Sequence, residues 1–546
     1  MDLQRLFLFL IFAFSLVLVW DGWQRYQHPE QYVQQESVVA KDPAKPQAGL
    51  PSTGSQVAPA QQAMRPEAKT IRVKTDLFEA EIDSIGGDIS RLALLKHPDG
   101  VDQTKPLVLF QRGAGTHNYV AQSGLLGAGL PNHNTSFVAE QESYELTANA
   151  DQVQVRLKAD GAATLQVVKV ITFHKGSYLI DVAYELENAG QQAVAASSYF
   201  QLVRDSVPPA GSSMFLPTFT GPAVYTDKEK FQKVEFADIE KGKTEHVKQA
   251  DDGWVGMLQH YFVAAWLPEA KSGREYFTRK LDGDMYSAGM VLPETVVQPG
   301  QKAVIGTRLY AGPAKSDLDE IAPGLGLTVD YGWLTIIAAP LFWVMSLFYD
   351  WTGNWGIAII LLTIAIKLLF FPLSAASYRS MAKMRLVTPK LEKIKEQYAG
   401  DREQLNRAMM DLYKTEKINP LGGCLPVLIQ IPVFIALFWS ILASVEMRYA
   451  PFFGWITDLS VADPYYVLPL IMGVSMVVQM RLNPTPLDPM QAKIMQIMPI
   501  AFSVVFFFFP AGLVLYSIVN NLLSIGQQWY ITRAAEDESK VVAAKR

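Results

Sequence analysis

The chain has 546 residues, with 48 Lys and Arg against 53 Asp and Glu and a formal net charge of −5, so it carries no global basic field of the kind that binds nucleic acid. Its one cysteine, Cys424, excludes an intrachain disulfide and, lying in an apolar run, reads as a small packing residue. All seven histidines fall between His28 and His260, which leaves the greasy second half without a His-ligated metal or a His proton relay.

Leu6 to Trp20 is a nearly unbroken apolar run behind Arg5. No small-x-small cleavage site follows it, because the chain continues Asp21-Gly22-Trp23, so residues 1–27 read as an uncleaved signal anchor. Residues 28–68 form a Pro/Gln linker: Pro29, Pro43, Pro46, Pro51, Pro59 and Pro66 recur among Gln, Ala and Ser. Such a segment buries too little apolar surface to offset its ordering entropy.

From about residue 70 the hydrophobic period becomes two. Phe78, Ala80 and Ile82 alternate with Glu79, Glu81 and Asp83; Val153, Val155 and Leu157 alternate with polar residues; Tyr178, Ile180, Val182, Tyr184 and Leu186 repeat the pattern. Gly86-Gly87, Pro98-Asp99-Gly100 and Pro299-Gly300 punctuate the runs. Residues 69–320 are therefore expected to be a large antiparallel β-sandwich with one wet face. Scattered His97, His117 and His133 read most simply as surface or loop residues.

Residues 321–354 read as an interfacial amphipathic helix region: the apolar stretch Trp333 to Tyr349 is broken by Pro340 and flanked by Tyr331 and Trp351. Residues 355–373 are a second span. Residues 374–418 form a polar helical hairpin, with Pro389 at a helix start, Gly400 as a cap and Asp401 with Gln404 as a capping box for the return helix. Leu391, Ile394 and Tyr398 mark one arm's apolar face, and Leu405, Met409 and Leu412 the other's. Residues 419–531 hold spans three to six: Leu425–Leu442, Tyr465–Met480, Ile494–Phe509 and Ala511–Ile525 with its extension to Ile531; a tail, 532–546, follows. The fold class is thus mixed, a six-span α-helical membrane bundle carrying an extracytoplasmic β domain. Ile494–Phe509 corresponds to roughly 24 Å of helix, short of the ~30 Å hydrocarbon core, which favours local thinning of the bilayer.

Ten Lys and Arg lie in 374–418 and one, Arg448, in 445–464. The positive-inside bias therefore places 374–418 and both termini in the cytoplasm and residues 28–320 outside.

Lys367 is the sharpest functional signal, a cation well inside the second span. It either faces a wet intramembrane cavity or snorkels to the nearby cytoplasmic end. Thr363, four residues earlier, shares its helix face. Gln430, Asn520 and Asn521 are candidates for the same cavity, the other reading of each being an interhelical hydrogen bond, and Tyr516, Ser517 and Gln479 are weaker ones. The basic hairpin is either a solvated, charge-laced element or a docking surface for a ribosome or anionic lipid.

Lys417-Ile418-Asn419-Pro420-Leu421-Gly422-Gly423-Cys424-Leu425-Pro426 followed by Gln430-Ile431-Pro432 resembles the third-span signature of the YidC/Oxa/Alb membrane protein insertases. Phe371-Pro372-Leu373 with Ser380-Met381-Ala382-Lys383-Met384, Asp463-Pro464-Tyr465-Tyr466, and Pro510-Ala511-Gly512-Leu513-Val514-Leu515-Tyr516 resemble other parts of that core. The resemblance covers about 330–533, and the anchor, linker and β domain are similar to the family's Gram-negative form.

It implies a five-span core in the bacterial inner membrane around a hydrophilic groove, with a periplasmic β domain, no cofactor, no metal and no catalytic residue. In the family a lone cation of the second span lines the groove, and the matching residue is Lys367, where the family more often has Arg. Only Tyr516 of the family's last-span Tyr pair is present, since Ser517 follows it, and the tail mixes Lys and Arg with Glu536, Asp537 and Glu538 instead of being strongly basic. The implied partners are nascent membrane protein substrates, the Sec translocon, membrane lipids and, through 374–418, the ribosome and the signal recognition particle receptor. Two rivals are a small-solute transporter or channel, which predicts internal repeats and paired intramembrane ionisables, and a non-inserting assembly scaffold.

Overall fold

The computed structural model describes residues 68–544 apart from 114–116, 161–164, 210–217, 270, 399, 417–424 and 484–488. The expected anchor, all of the linker but Ala68, and Cys424 lie outside the described residues.

Residues 70–313 build two large sheets. The first has eleven strands among the described residues and runs in space from Gln249–Ala250 through Arg274–Lys280, Met285–Val291, Val194–Asp205, Tyr119–Leu126, Pro106–Gln111, Ile89–Pro98, Phe78–Asp83 and Thr70–Lys74 to Ser143–Glu145, with Thr295–Val297 pairing aside. The second has nine, from Lys230–Lys233 through Gly221–Thr226, Trp254–Gln259, Phe262–Leu267, Lys302–Pro313, Leu179–Asn188, Leu165–His174 and Gln152–Ala159 to Phe137–Ala139. Every described pairing is antiparallel except Thr70–Lys74 with Ser143–Glu145. Phe78, Phe110, Phe200 and Met290 of the first sheet share one core with Val155, Phe173, Ile180 and Tyr184 of the second.

The expectation of a wet outer face fails for the centre of the nine-stranded sheet. Phe262–Leu267 is buried at all six positions. Phe262, Ala264 and Trp266 enter the core between the sheets, whereas Val263, Ala265 and Leu267 enter a second core with Leu318, Leu325, Tyr331 and the helices. Trp254–Gln259 divides in the same way, Val255 and Met257 to one side and Trp254 and Leu258 to the other. A strand covered on both faces loses its alternation, because both sets of side chains are apolar.

The second half is helical: α1 Thr335–Thr352, α2 Trp355–Leu369, α3 Phe371–Gln397, α4 Arg402–Thr415, α5 Leu425–Ala443, α6 Val467–Leu482, α7 Pro489–Val505 and α8 Ala511–Ala544. In α1, Ala338, Phe342 and Met345 are buried, while Ile336, Trp343, Leu347 and Trp351 stand exposed. Among the described residues no single helix is long and apolar enough to cross a membrane; α2 and α3, bent by 66° at Phe370, reach that length and hydropathy only together. Gln430–Ala443, Val467–Leu482 and Ile497–Phe508 are shorter apolar helices.

The hairpin departs from expectation in one arm. Pro389 lies inside α3, which begins at Phe371 with Pro372 in its first turn, so the bend at Phe370, not Pro389, separates the span from the arm. That arm ends at Gln397 with Tyr398 as its cap, and Gly400 is not among the glycines of positive φ, so it supplies no left-handed cap. The return helix starts as read: Asp401 Oδ1 accepts hydrogen bonds from the backbone N–H groups of Glu403, at 2.9 Å, and Gln404, at 3.0 Å. Val387 and Leu391 pack with Met409, Leu412 and Tyr413.

The loop after α5 is keyed into the β domain. Val445 joins the core between the sheets. His260 Nε2 donates to the Leu442 carbonyl at 2.8 Å, the Tyr449 hydroxyl donates to the Asp99 carbonyl at 2.6 Å, and the Arg448 guanidinium lies 5.9, 5.6 and 4.8 Å from the ring centres of Tyr261, Phe262 and Tyr449. His97, His117 and His133 are not plain surface residues: they are half-buried and meet the Tyr178 hydroxyl, the Asp205 carboxylate and the Tyr199 hydroxyl.

Burial, then the Arg448 and Lys315 charges, hold the His97 imidazole down at about 4. Burial also holds His260 at about 4, with the Leu442 carbonyl opposing it and Arg448 adding to it. The unfolded chain therefore takes up these protons at higher pH than the folded one, so the stability from both imidazoles is complete above the ordinary histidine value and is lost as pH falls. The unfolding temperature of the purified protein in detergent is expected to drop between about pH 6.5 and 4, and His260→Gln to flatten that drop.

Candidate functional site around Lys367

Helix α2 starts at Asn354, whose Oδ1 accepts from Ile357 N at 3.1 Å, and its apolar run puts Lys367 in the last turn, where a cation complements the helix dipole. The side chain is buried, with 5% of its surface exposed. Its Nζ donates to Ser524 Oγ at 2.6 Å, and Ser524 Oγ donates to the Asn520 carbonyl at 2.7 Å. The Asn520 side-chain oxygen accepts from Gln430 Nε2 at 3.1 Å. A chain of polar groups thus ties α2 to α8 and α8 to α5. Among the described residues Lys367 has no carboxylate partner.

Three of the expected residues therefore meet, Lys367, Gln430 and Asn520, and Lys367 and Gln430 line one cavity with Ile366, Phe370, Leu373, Ser374 and Val433. Its volume is about 10 Å³, room for roughly one water molecule. The other candidates do not line it. Thr363 is buried and donates to the Ile359 carbonyl at 2.7 Å, within its own helix. Asn521 faces α6 and donates to Ser475 Oγ at 3.1 Å. Tyr516 is buried against Phe434, ring centres 6.3 Å apart.

Ser524, the direct partner of Lys367, escaped the sequence reading. So did Gln528, which donates to the Leu482 carbonyl at 3.1 Å and to Asn483 Oδ1 at 3.0 Å. The signal was present: Ser517, the Asn520-Asn521 pair, Ser524 and Gln528 recur at three- or four-residue steps and mark one polar stripe of α8.

Removing the partner of a buried charge strands it. Ser524→Ala is expected to lower stability by about 2 kcal/mol. Lys367→Met removes the charge together with its need for a partner, and thermal unfolding in detergent is expected to show it neutral or stabilised.

A family model described as the YidC periplasmic domain matches residues 70–344, and one described as 60Kd inner membrane protein matches residues 347–538. A "Membrane protein insertase YidC" from Nitrosospira multiformis is 54% identical over 557 residues, spanning 98% of both chains. Another, from Methylobacillus flagellatus, is 53% identical over 543 residues, again across 98% of both. A solved structure described as "Active YidC insertase crystal structure with the first transmembrane domain resolved" is 19% identical and aligns over 85% of this chain and 92% of that one, at a TM-score of 0.39. With relatives this similar across its whole length, the chain belongs to the YidC family of membrane protein insertases.

Proposed function

We propose that this chain inserts proteins into the bacterial inner membrane: it receives a short polar segment of a nascent membrane protein at the cavity around Lys367 and releases the attached apolar helix to lipid. The observation that carries the reading is the buried Lys367 ammonium, which donates to the Ser524 hydroxyl and, among the described residues, meets no carboxylate. A cation without a carboxylate partner is costly inside apolar helices, and an apolar residue of the same size would remove that cost, so its presence argues for use. An acidic segment supplies the missing opposite charge. Gln430 and Asn520 offer it amide groups, while Thr363, Asn521 and Tyr516 hold the walls.

In this reading the spans are the N-terminal anchor, α2, α5, α6, α7 and α8, with α1 in the interface and the two sheets packed as a sandwich on the periplasmic side. Both termini and the α3–α4 hairpin are cytoplasmic. The exposed apolar belt of Leu368, Leu470, Val474, Ile500, Phe508 and Leu522 supports lipid contact. The basic hairpin offers a surface for the ribosome, the signal recognition particle receptor or anionic lipid, and the exposed helix faces suit the Sec translocon. No nucleotide is needed: each Leu, Ile, Phe or Val at a helix centre contributes about 0.3–0.6 kcal/mol, and an inside-negative potential favours outward movement of an acidic tail by ~2.3 kcal/mol per charge per 100 mV.

Purified protein in liposomes, given a single-span substrate with an acidic N-terminal tail, provides the test. Wild type and Lys367→Arg are expected to insert it, and Lys367→Ala to fall at least about tenfold, the equivalent of ~1.4 kcal/mol. Normal insertion by Lys367→Ala would remove Lys367 from the mechanism.

A further inference from the structure

The cavity around Lys367 has room for about one water molecule, so a polar polypeptide segment cannot enter it without a rearrangement. The element that moves is identified by how each wall is held. Helix α3 leaves α2 at Phe370 with a 66° bend and lies across the cavity. Its Leu373 and Ser374, with Phe370 itself, line the cavity, and Ser374, Ser377 and Tyr378 are buried beneath it.

Farther along, α3 is fastened at a second point. Arg385 Nη2 donates to the Leu482 carbonyl at 2.6 Å, and Gln528 of α8 donates to the same oxygen at 3.1 Å. Leu482 ends α6, and carbonyls at a helix C-terminus lack intrahelical partners, so this one is free to accept from two other helices at once. Beyond Arg385, the buried residues of α3, Val387 and Leu391, pack against α4. The hairpin therefore carries its own small core and can swing as a body. Between Phe370 and Arg385 lie about 22 Å of helix, a lever with a hinge at one end and a charge-assisted hydrogen bond at the other.

We propose that α3 is a lid on the Lys367 cavity, hinged at Phe370, and that Arg385 is the positioning residue that holds it closed by capping α6 at Leu482. A partner that draws the hairpin away from α6 breaks this bond and opens the cavity. The inference rests on the reading that the cavity receives the substrate, and its test is independent of insertion.

The test uses the full-length protein in liposomes, with Cys424→Ser and Ser374→Cys, and measures the rate at which a membrane-impermeant maleimide labels the new thiol. With Arg385 intact, labelling is expected to be slow. Arg385→Ala is expected to raise the rate about tenfold, a shift of ~1.4 kcal/mol in the opening equilibrium. Arg385→Lys, which keeps a donor for the Leu482 carbonyl, is expected to restore much of the protection, a rescue that general misfolding would not give. Arg379→Ala, at an exposed position of the same helix, is expected to leave the rate unchanged. Equal rates for Arg385→Ala and its parent, or an equal rise with Arg379→Ala, would overturn the lid. Faster labelling in Arg385→Ala alongside normal insertion by Lys367→Ala would keep the lid and discard the cavity as substrate site; unchanged labelling alongside failed insertion by Lys367→Ala would do the reverse.

Discussion

One uncompensated ammonium inside a bundle of apolar helices constrains everything around it. With no carboxylate at hand among the described residues, the Lys367 charge is balanced by dipoles, and the nearest of these comes from another helix. Ser524 therefore faces α2, its own hydroxyl is committed to the Asn520 carbonyl, and the Asn520 amide is left to meet Gln430. Three helices are brought into register by one side chain. Neutral partners soften the cost of the charge without cancelling it, which leaves the site attractive to an anion.

The β domain is not a separate body hung from a tether. The centre of its nine-stranded sheet is apolar on both faces, and its outer side shares a core with α1, α2, α5 and α8. The segment that follows α5 then enters the sheets, with Val445 in their core and Arg448 among three aromatic rings. Both ends of the contact are built from burial and from hydrogen bonds to main-chain carbonyls, interactions that fix position. The domain thus braces the end of α5 opposite the one that presents Gln430, while the α3–α4 hairpin is free of it.

The two sides differ in the kind of contact that holds them. Where β domain and helices meet, large apolar side chains interlock. Where α3 crosses the cavity, Phe370 and Leu373 line it beside Ser374, and farther along the Arg385 guanidinium meets a carbonyl. Burial of apolar area resists motion in every direction, whereas a hydrogen bond can be exchanged for another at little net cost.

The sequence by itself determined the alternating strands, the apolar helices, the Asp401 cap and the position of a lone Lys among apolar neighbours, because period, capping and charge are local properties. The site was legible to the extent of Lys367, Gln430 and Asn520; Ser524 and Gln528 were visible as a stripe on α8 but not as partners of anything. Only the tertiary structure decided which polar groups meet, since Thr363 and Asn521 carry the same chemistry as Ser524 and Asn520 and yet turn elsewhere. It also decided that Phe262–Leu267 is covered twice, that α3 runs through Pro389, and that Arg385 reaches α6. Each of these depends on where a second element lies in space, and pairing across 90, 97 or 157 residues leaves no mark on the periodicity of either partner.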